Sequence, residues 1–330
     1  MTSETVTRPR PPNFLVIGLP KAGTTSVYFY LRQHPQVFMS PAKELEFFRF
    51  NGKQPQWNGP QRYTELHFND LPSRGKLITP QTEPGIWWGA TPSTWEEYLQ
   101  FFAGVTTETA IGEATTSNFF SADACSNIQR LLPDVRLICI LRQPVGRGFS
   151  QFQHARRISI EPLDDFVAAY RDCERRRHAN WSPFLSLYET RGWYTHSLQA
   201  YRSRFSQEQL RIYLYDDLCT NPIAMMQDIY RFLGVDPAFI PDVSQKYNQS
   251  FLPRNRRVSE AIRGLNHGVK RLIKRLLPAQ LHGAVSKLNR IRPHLNPAIR
   301  RQLTAEYANE ICELQDLIGR DLSGWLGDQS

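Results

Sequence analysis

Short, mainly apolar runs punctuate the chain at Phe14–Gly18 (FLVIG), Ala110–Gly112, Arg136–Leu141 (RLICIL) and Arg211–Tyr215 (RIYLY). Runs of this kind suit strands buried on both faces. Around them, apolar positions recur at helix spacing over Thr24–Gln33, Trp95–Phe102, Ser121–Leu131, Pro144–Arg157, Leu163–Arg177, Gly192–Phe205, Pro222–Leu233, Ser259–Leu277 and Pro297–Leu317. Three of these helices open on a capping residue: Thr94 before Trp95, and Asn221 and Asn296 before a proline in the first turn. Strands that alternate with helices predict an α/β fold, with a central parallel β-sheet flanked by helices. The 330 residues contain no internal repeat and no low-complexity linker, and they suffice for one large domain or two small ones.

Two stretches break the pattern. The leader MTSETVTRPRPP, residues 1–12, is polar and is expected to fray. Residues 49–102 are irregular and aromatic, with Trp57, Tyr63, Phe68, Trp87, Trp88, Trp95, Tyr98, Phe101 and Phe102. Such an insertion either pads a small core of its own or faces a substrate.

Charge is distributed unevenly. From Arg254 to Arg301 there are 13 Lys or Arg and one acid, Glu260, for a net +12, while the rest of the chain has 27 basic and 30 acidic residues. Within this 254–301 segment Ile262, Leu265, Val269, Leu272, Ile273 and Leu276 form one stripe of an amphipathic basic helix. Its readings are ordinary packing with a solvated cationic face, or peripheral contact with a membrane or an anionic polymer. No nucleic-acid motif accompanies the charge, so nucleic acid is not an expected partner.

No window approaches the roughly 18 apolar residues that a membrane span needs, and the N-terminus lacks a signal-peptide core, so a soluble, cytoplasmic protein is expected. The five cysteines are scattered without CxxC spacing, and the eight histidines show no paired metal spacing. Buried thiols and no metal are therefore expected. His34, in a QHP sequence at a helix end, reads as structural.

The candidate chemistry begins at NFLVIGLPKAGTTS, a strand that runs through a tight loop into a helix. A helix start offers unpaired N–H groups and a positive dipole end to an anion. In PKAGTTS, Gly23 permits close backbone approach, Lys21 adds a charge, Thr24, Thr25 and Ser26 add hydroxyls, and Ala22 is small. The nucleoside-triphosphatase order GxxxxGK[ST] is not met, because Lys21 precedes Gly23. Alone, the loop also fits an ordinary helix cap. A second feature, RLICILRQPVGRGFSQF, places Arg142 at the carboxyl end of a strand and Ser150 about two turns into the next helix. An arginine there can fork onto phosphate oxygens. Taken singly, Arg142 also suits a surface ion pair and Ser150 a helix-face hydroxyl.

Together, PKAGTTS and LRQPVGRGFSQF resemble the 5'-phosphosulfate loop and the 3'-phosphate element of sulfotransferases that use 3'-phosphoadenosine 5'-phosphosulfate (PAPS). LYDDLCTNP, IYRFLGVDP and GRDLSGWL resemble recurrent pieces of the bacterial-type branch. The resemblance covers most of the chain. It implies a single-domain, P-loop-kinase-like sulfotransferase fold over 13–330, PAPS as sulfuryl donor with PAP as product, and a small-molecule or carbohydrate acceptor. By the same resemblance Lys21, Ala22, Gly23, Thr24, Thr25, Ser26, Arg142 and Ser150 hold the donor, and a late basic stretch, Arg254, Arg256 or Arg257, closes over its 3'-phosphate.

The base is a separate question. KELEFF, Lys43 to Phe48, resembles the glutamate-then-aromatic-pair motif of the heparan-sulfate N- and O-sulfotransferases, which implies Glu44 as catalytic base, with Lys43 beside it to orient it or contact the transferring group or substrate, and Glu46 where histidine is often found. GEATTSNFF departs from those relatives, which often carry lysine where this chain has Ala114, so the acceptor class does not carry over. Glu113 is a lesser candidate for base, orienter or substrate contact, or a strand-end carboxylate bonded to loop amides. Two other readings stay open on the sequence: a nucleoside-triphosphate kinase, and a non-catalytic nucleotide- or anion-binding protein.

Overall fold

The computed structural model describes residues 9–50, 53, 57–59, 87–88, 92–245, 252–253, 290–291 and 293–327. Within them, strands β1 (Phe14–Gly18), β2 (Val37–Met39), β5 (Ala110–Ala114), β6 (Arg136–Leu141) and β7 (Leu210–Leu214) form a five-stranded sheet in the order β2-β5-β1-β6-β7. Every pairing is parallel, with Phe14 opposite both Gly112 and Arg136. Two further strands, β3 (Ala42–Lys43) and β4 (Trp87–Trp88), pair with each other.

All five residues of β1 and of β5 are buried, as expected for the middle of a parallel sheet. Gly112 is required there. A Cβ on it would lie 2.2 Å from the Phe14 ring, so only glycine lets that ring cross the neighbouring strand. Helices pack around the sheet, and its side chains belong to one contiguous core. This is the single-domain, central-parallel-sheet architecture expected from the sequence.

The capping residues act as anticipated. Thr94, Asn221 and Asn296 each accept a backbone N–H of their helix's first turn. Boundaries moved where tertiary contacts outweighed periodicity. The Leu163–Arg177 pattern is two helices, Phe166–Arg171 and Cys173–His178, hinged at Asp172, whose carboxylate accepts from Arg175 and Arg176. Pro297–Leu317 also divides, into Pro297–Ala305 and Ala308–Ile318. At that break the Tyr307 hydroxyl donates to the Glu189 carbonyl and meets the Tyr170 hydroxyl.

Gly192–Phe205 begins as a helix only at Thr195, because the N–H groups of Tyr194 and Thr195 are given to buried Glu310. The first helix, Thr24–Leu31, ends two residues early, and Trp95–Gln100 stops short of Phe102. Tyr215 opens a helix, Tyr215–Thr220, rather than closing a strand. Strand β2 and the short helix Phe47–Phe50 had no periodic signal long enough to notice.

The Ser259–Leu277 helix, most of the 254–301 and 49–102 segments, and Arg254, Arg256 and Arg257 lie outside the described residues. Cys125, Cys139 and Cys173 are buried thiols, whereas Cys219 and Cys312 are exposed. Among the described residues no helix is long and apolar enough to cross a membrane, and no group of His, Cys, Asp or Glu is arranged to hold a metal ion. His34 is structural: Gln36 N–H donates to its Nδ1, so the ring proton sits on Nε2 and meets the Asp236 carbonyl at 3.0 Å.

Candidate functional site

The loop after β1 is held from both sides. Leu19 N–H donates to the Ile140 carbonyl of β6 at 2.9 Å, and Ala22 N–H turns back onto the Leu19 carbonyl. Two residues take left-handed backbone conformations, Lys21 (φ 70°) and Gly23 (φ 82°). A Cβ on Gly23 would stand 2.4 Å from Leu218 and 3.1 Å from the Tyr215 ring, so the loop closes against the Tyr215–Thr220 helix only because this residue has none. Thr24, Thr25 and Ser26 are buried in the first turn of the helix. Ser26 N–H is already bonded to the Gly23 carbonyl at 2.9 Å. Gly23, Thr24 and Thr25 keep the N–H groups that a helix start leaves without an intrahelical partner.

The second motif meets this loop directly. Arg142, at the end of β6, donates from Nη1 to the Lys21 carbonyl at 2.6 Å and lies over the Tyr215 ring, 4.3 Å from its centroid. Its own carbonyl accepts from the Tyr194 hydroxyl at 2.7 Å. The following helix, Pro144–Arg157, is capped by the Gln143 side chain and starts on proline. Ser150 on it is buried, and one turn further His154 reaches the loop, with Nδ1 3.2 Å from Lys21 Nζ and 3.0 Å from Arg157 Nη2. Arg157 can only donate, so Nδ1 holds the lone pair and the ring proton is on Nε2. Burial, with Arg157, Arg142, Lys43 and Arg147 nearby, brings Lys21 down to about 7 from the ordinary lysine range.

The third part is the KELEFF turn between β3 and Phe47–Phe50. Glu44 (φ 61°) and Glu46 (φ 56°) both adopt left-handed conformations, uncommon outside glycine. The segment after β5 holds them residue by residue. Glu44 N–H donates to the Ala114 carbonyl at 2.9 Å and Leu45 N–H to Thr115 Oγ1 at 3.0 Å. Thr116 donates its N–H (2.8 Å) and its hydroxyl (3.0 Å) to the Glu44 carboxylate, and the Ser117 hydroxyl donates to Glu46 at 2.7 Å. Lys43, almost wholly buried, donates to Glu44 Oε1. Burial raises Glu46 above the usual carboxylate range, partly offset by Arg49.

Buried Glu113 of β5 accepts from Thr115 Oγ1 at 2.7 Å, not from loop amides, and burial pushes it up to about 8. Ala114, where a lysine had been looked for, is buried.

The structure thus brings Arg142 onto the loop that holds Lys21, Ala22, Gly23, Thr24, Thr25 and Ser26, and Lys43, Glu44 and Glu113 around one turn, while Ser150 is buried on the helix that follows Arg142. Lys43 connects the groups, since it is bonded to Glu44 and close enough to depress Lys21. Four contributors were missed in the sequence: His154, Tyr215, Thr115 and Thr116. The one available signal was the spacing of His154, four residues after Ser150 and so on the same helix face. Chemically, the arrangement offers cations and helix N–H groups for anions, with a hydrogen-bonded carboxylate alongside.

A family model described as "Sulfotransferase family" matches residues 12–239. The chain is 27% identical over 235 residues, 69% of its length, to mouse bifunctional heparan sulfate N-deacetylase/N-sulfotransferase 4, and 27% identical over a similar stretch to human bifunctional heparan sulfate N-deacetylase/N-sulfotransferase 2. It spans only 23% of the mouse protein and 22% of the human one. Among solved structures it is similar to a sulfotransferase from Alicyclobacillus acidocaldarius, with a TM-score of 0.71 and 26% identity over 96% of this chain and 99% of that one. With two thirds of its length matched by the family model and nearly all of it superposable on a solved member, the chain belongs to the sulfotransferase family.

Proposed function

We propose that the chain moves a sulfuryl group from PAPS to a hydroxyl or amine of an acceptor, in a single in-line displacement. The observation that carries this reading is the bond from Arg142 to the Lys21 carbonyl, which brings two motifs 121 residues apart into direct contact. The residues present fit an extended nucleotide with anionic groups at both ends. Lys21 and the N–H groups of Gly23, Thr24 and Thr25 would hold the 5' end, and Arg142 with Ser150 the 3'-phosphate. Arg256 and Arg257 are proposed at the 3'-phosphate on resemblance alone. PAPS, when bound, supplies the activated sulfuryl group and the phosphate that leaves with it.

Each residue then has a task. Glu44, fixed by Thr116 and Lys43, takes the acceptor proton. Lys21 and the helix N–H groups take up the negative charge that grows on the departing phosphate. His154 holds Lys21 Nζ through its lone pair and so keeps the ammonium on the loop. The named relatives are heparan sulfate enzymes, and a carbohydrate or small-molecule acceptor is proposed here, with no further assignment. Calorimetry with PAPS and PAP against ATP with magnesium tests the reading. The phosphoadenosine pair is expected to bind far more tightly than ATP. Equal or tighter binding of ATP overturns the assigned 3'-phosphate element.

A further inference from the structure

Among the described residues, Glu113 is the one fully buried carboxyl near the turn that the reaction does not use. Its Oε2 accepts the Thr115 hydroxyl proton, and the same hydroxyl oxygen accepts Leu45 N–H. Among the described residues its Oε1 has no hydrogen-bond partner. Thr115 has a single proton and spends it on Glu113, which turns its lone pairs toward Leu45, the residue between left-handed Glu44 and Glu46. From Glu113 the chain of bonds therefore runs to the backbone that aims Glu44.

We propose that Glu113 is a positioning residue, a buried carboxyl that holds the Glu44 turn in its left-handed conformation through Thr115. The proposal rests on Glu44 being the base. The neutral form matters for two reasons. An ionised Glu113 would set a second buried negative charge beside the Glu44 carboxylate, and the sulfuryl donor that must approach is itself an anion. The charged and titratable groups that feel Glu113 are Lys43 of β3, Glu44 and Glu46 of the turn, Tyr98 of the Trp95–Gln100 helix and Tyr201 of the Thr195–Arg202 helix. The hydrogen bond from Thr115 favours ionisation, as does Lys43, which is already bonded to Glu44. With burial the larger influence, the acid is mostly protonated at neutral pH and ionises near pH 8.

The test needs no identified acceptor: PAP release from PAPS with water as the acceptor, followed between pH 6 and 9.5. Wild-type turnover is expected to fall as pH rises through about 8. Thr115→Val, which keeps the shape and removes the relay, is expected to lower turnover about tenfold to a hundredfold with PAP affinity unchanged, as misaimed catalytic groups do. Glu113→Ala is expected to lose a similar factor, and Glu113→Gln, a neutral isostere, to recover most of it and, with PAPS saturating so that bound anion keeps Lys21 protonated, to lose the alkaline fall near pH 8. Infrared spectra should carry a protonated-carboxyl band that Glu113→Gln removes. Glu44→Gln separates the two ideas. If it leaves turnover intact, the base assignment fails. If it abolishes turnover while Thr115→Val and the Glu113 variants change neither rate nor pH profile, or if the infrared band is missing, the positioning role of Glu113 is overturned.

Discussion

Lys21 is surrounded by cations, and its lowered proton affinity has a measurable consequence. At pH 7.5 a group near 7 is largely unprotonated in the free protein, and a bound phosphate anion must raise it again. PAP binding is therefore expected to take up protons above pH 7 and to weaken as pH rises; calorimetry in buffers of different ionisation enthalpy reads the uptake directly. Lys21→Met should abolish it. Arg142→Ala is expected to cost about 1–3 kcal/mol of PAP affinity, the scale of a hydrogen bond to a charged group, measured by the same titration. Lys21, Gly23 and Arg142 were legible in the sequence because each sits in a short local motif. His154 and Thr116 were not, since their contacts with Lys21 and Glu44 bridge 133 and 72 residues and no local pattern encodes them.

At the level of elements, the strand–loop–helix unit depends on Gly23 for both its φ of 82° and the space against Leu218. Gly23→Ala is expected to lower stability by about 1–3 kcal/mol through left-handed strain and overlap, and to weaken PAP binding, as checked by denaturant unfolding and calorimetry. Asn221→Ala should cost about 1 kcal/mol by removing the cap of Pro222–Leu233, with PAP binding unaffected. Helix existence was legible from periodicity and caps, and strands β1 and β6 were read to the residue. The breaks at Asp172 and Tyr307 were not, because an apolar stripe continues through both. At Tyr307 the side chain bonds to Glu189, 118 residues away, and at Asp172 the carboxylate is taken by Arg175 and Arg176 of the next helix.

For the whole molecule, Glu113 couples folding to pH. Raised from 4.5 to about 8 in the native state, it keeps a proton that the unfolded chain releases near the ordinary carboxylate value. The stabilising contribution of the protonated form is complete below about pH 4.5 and is lost progressively as pH rises to about 8. Glu113→Gln is expected to flatten the fall in unfolding free energy across that window, as measured by urea unfolding at a series of pH values.

The same residue marks the division between sequence and fold. The order of strands and helices, the phosphate-type loop, the arginine that ends β6 and the KELEFF segment were determined by the sequence itself. They follow from periodicity, caps and residue chemistry over a few neighbours. Tertiary structure alone decided that β5 lies beside β1, that Arg142 bonds to Lys21, and that Thr115 and Thr116 clasp the Glu44 turn. These depend on strand order and burial, which bring distant residues within hydrogen-bonding reach and set the dielectric around them. No single stretch of chain contains either.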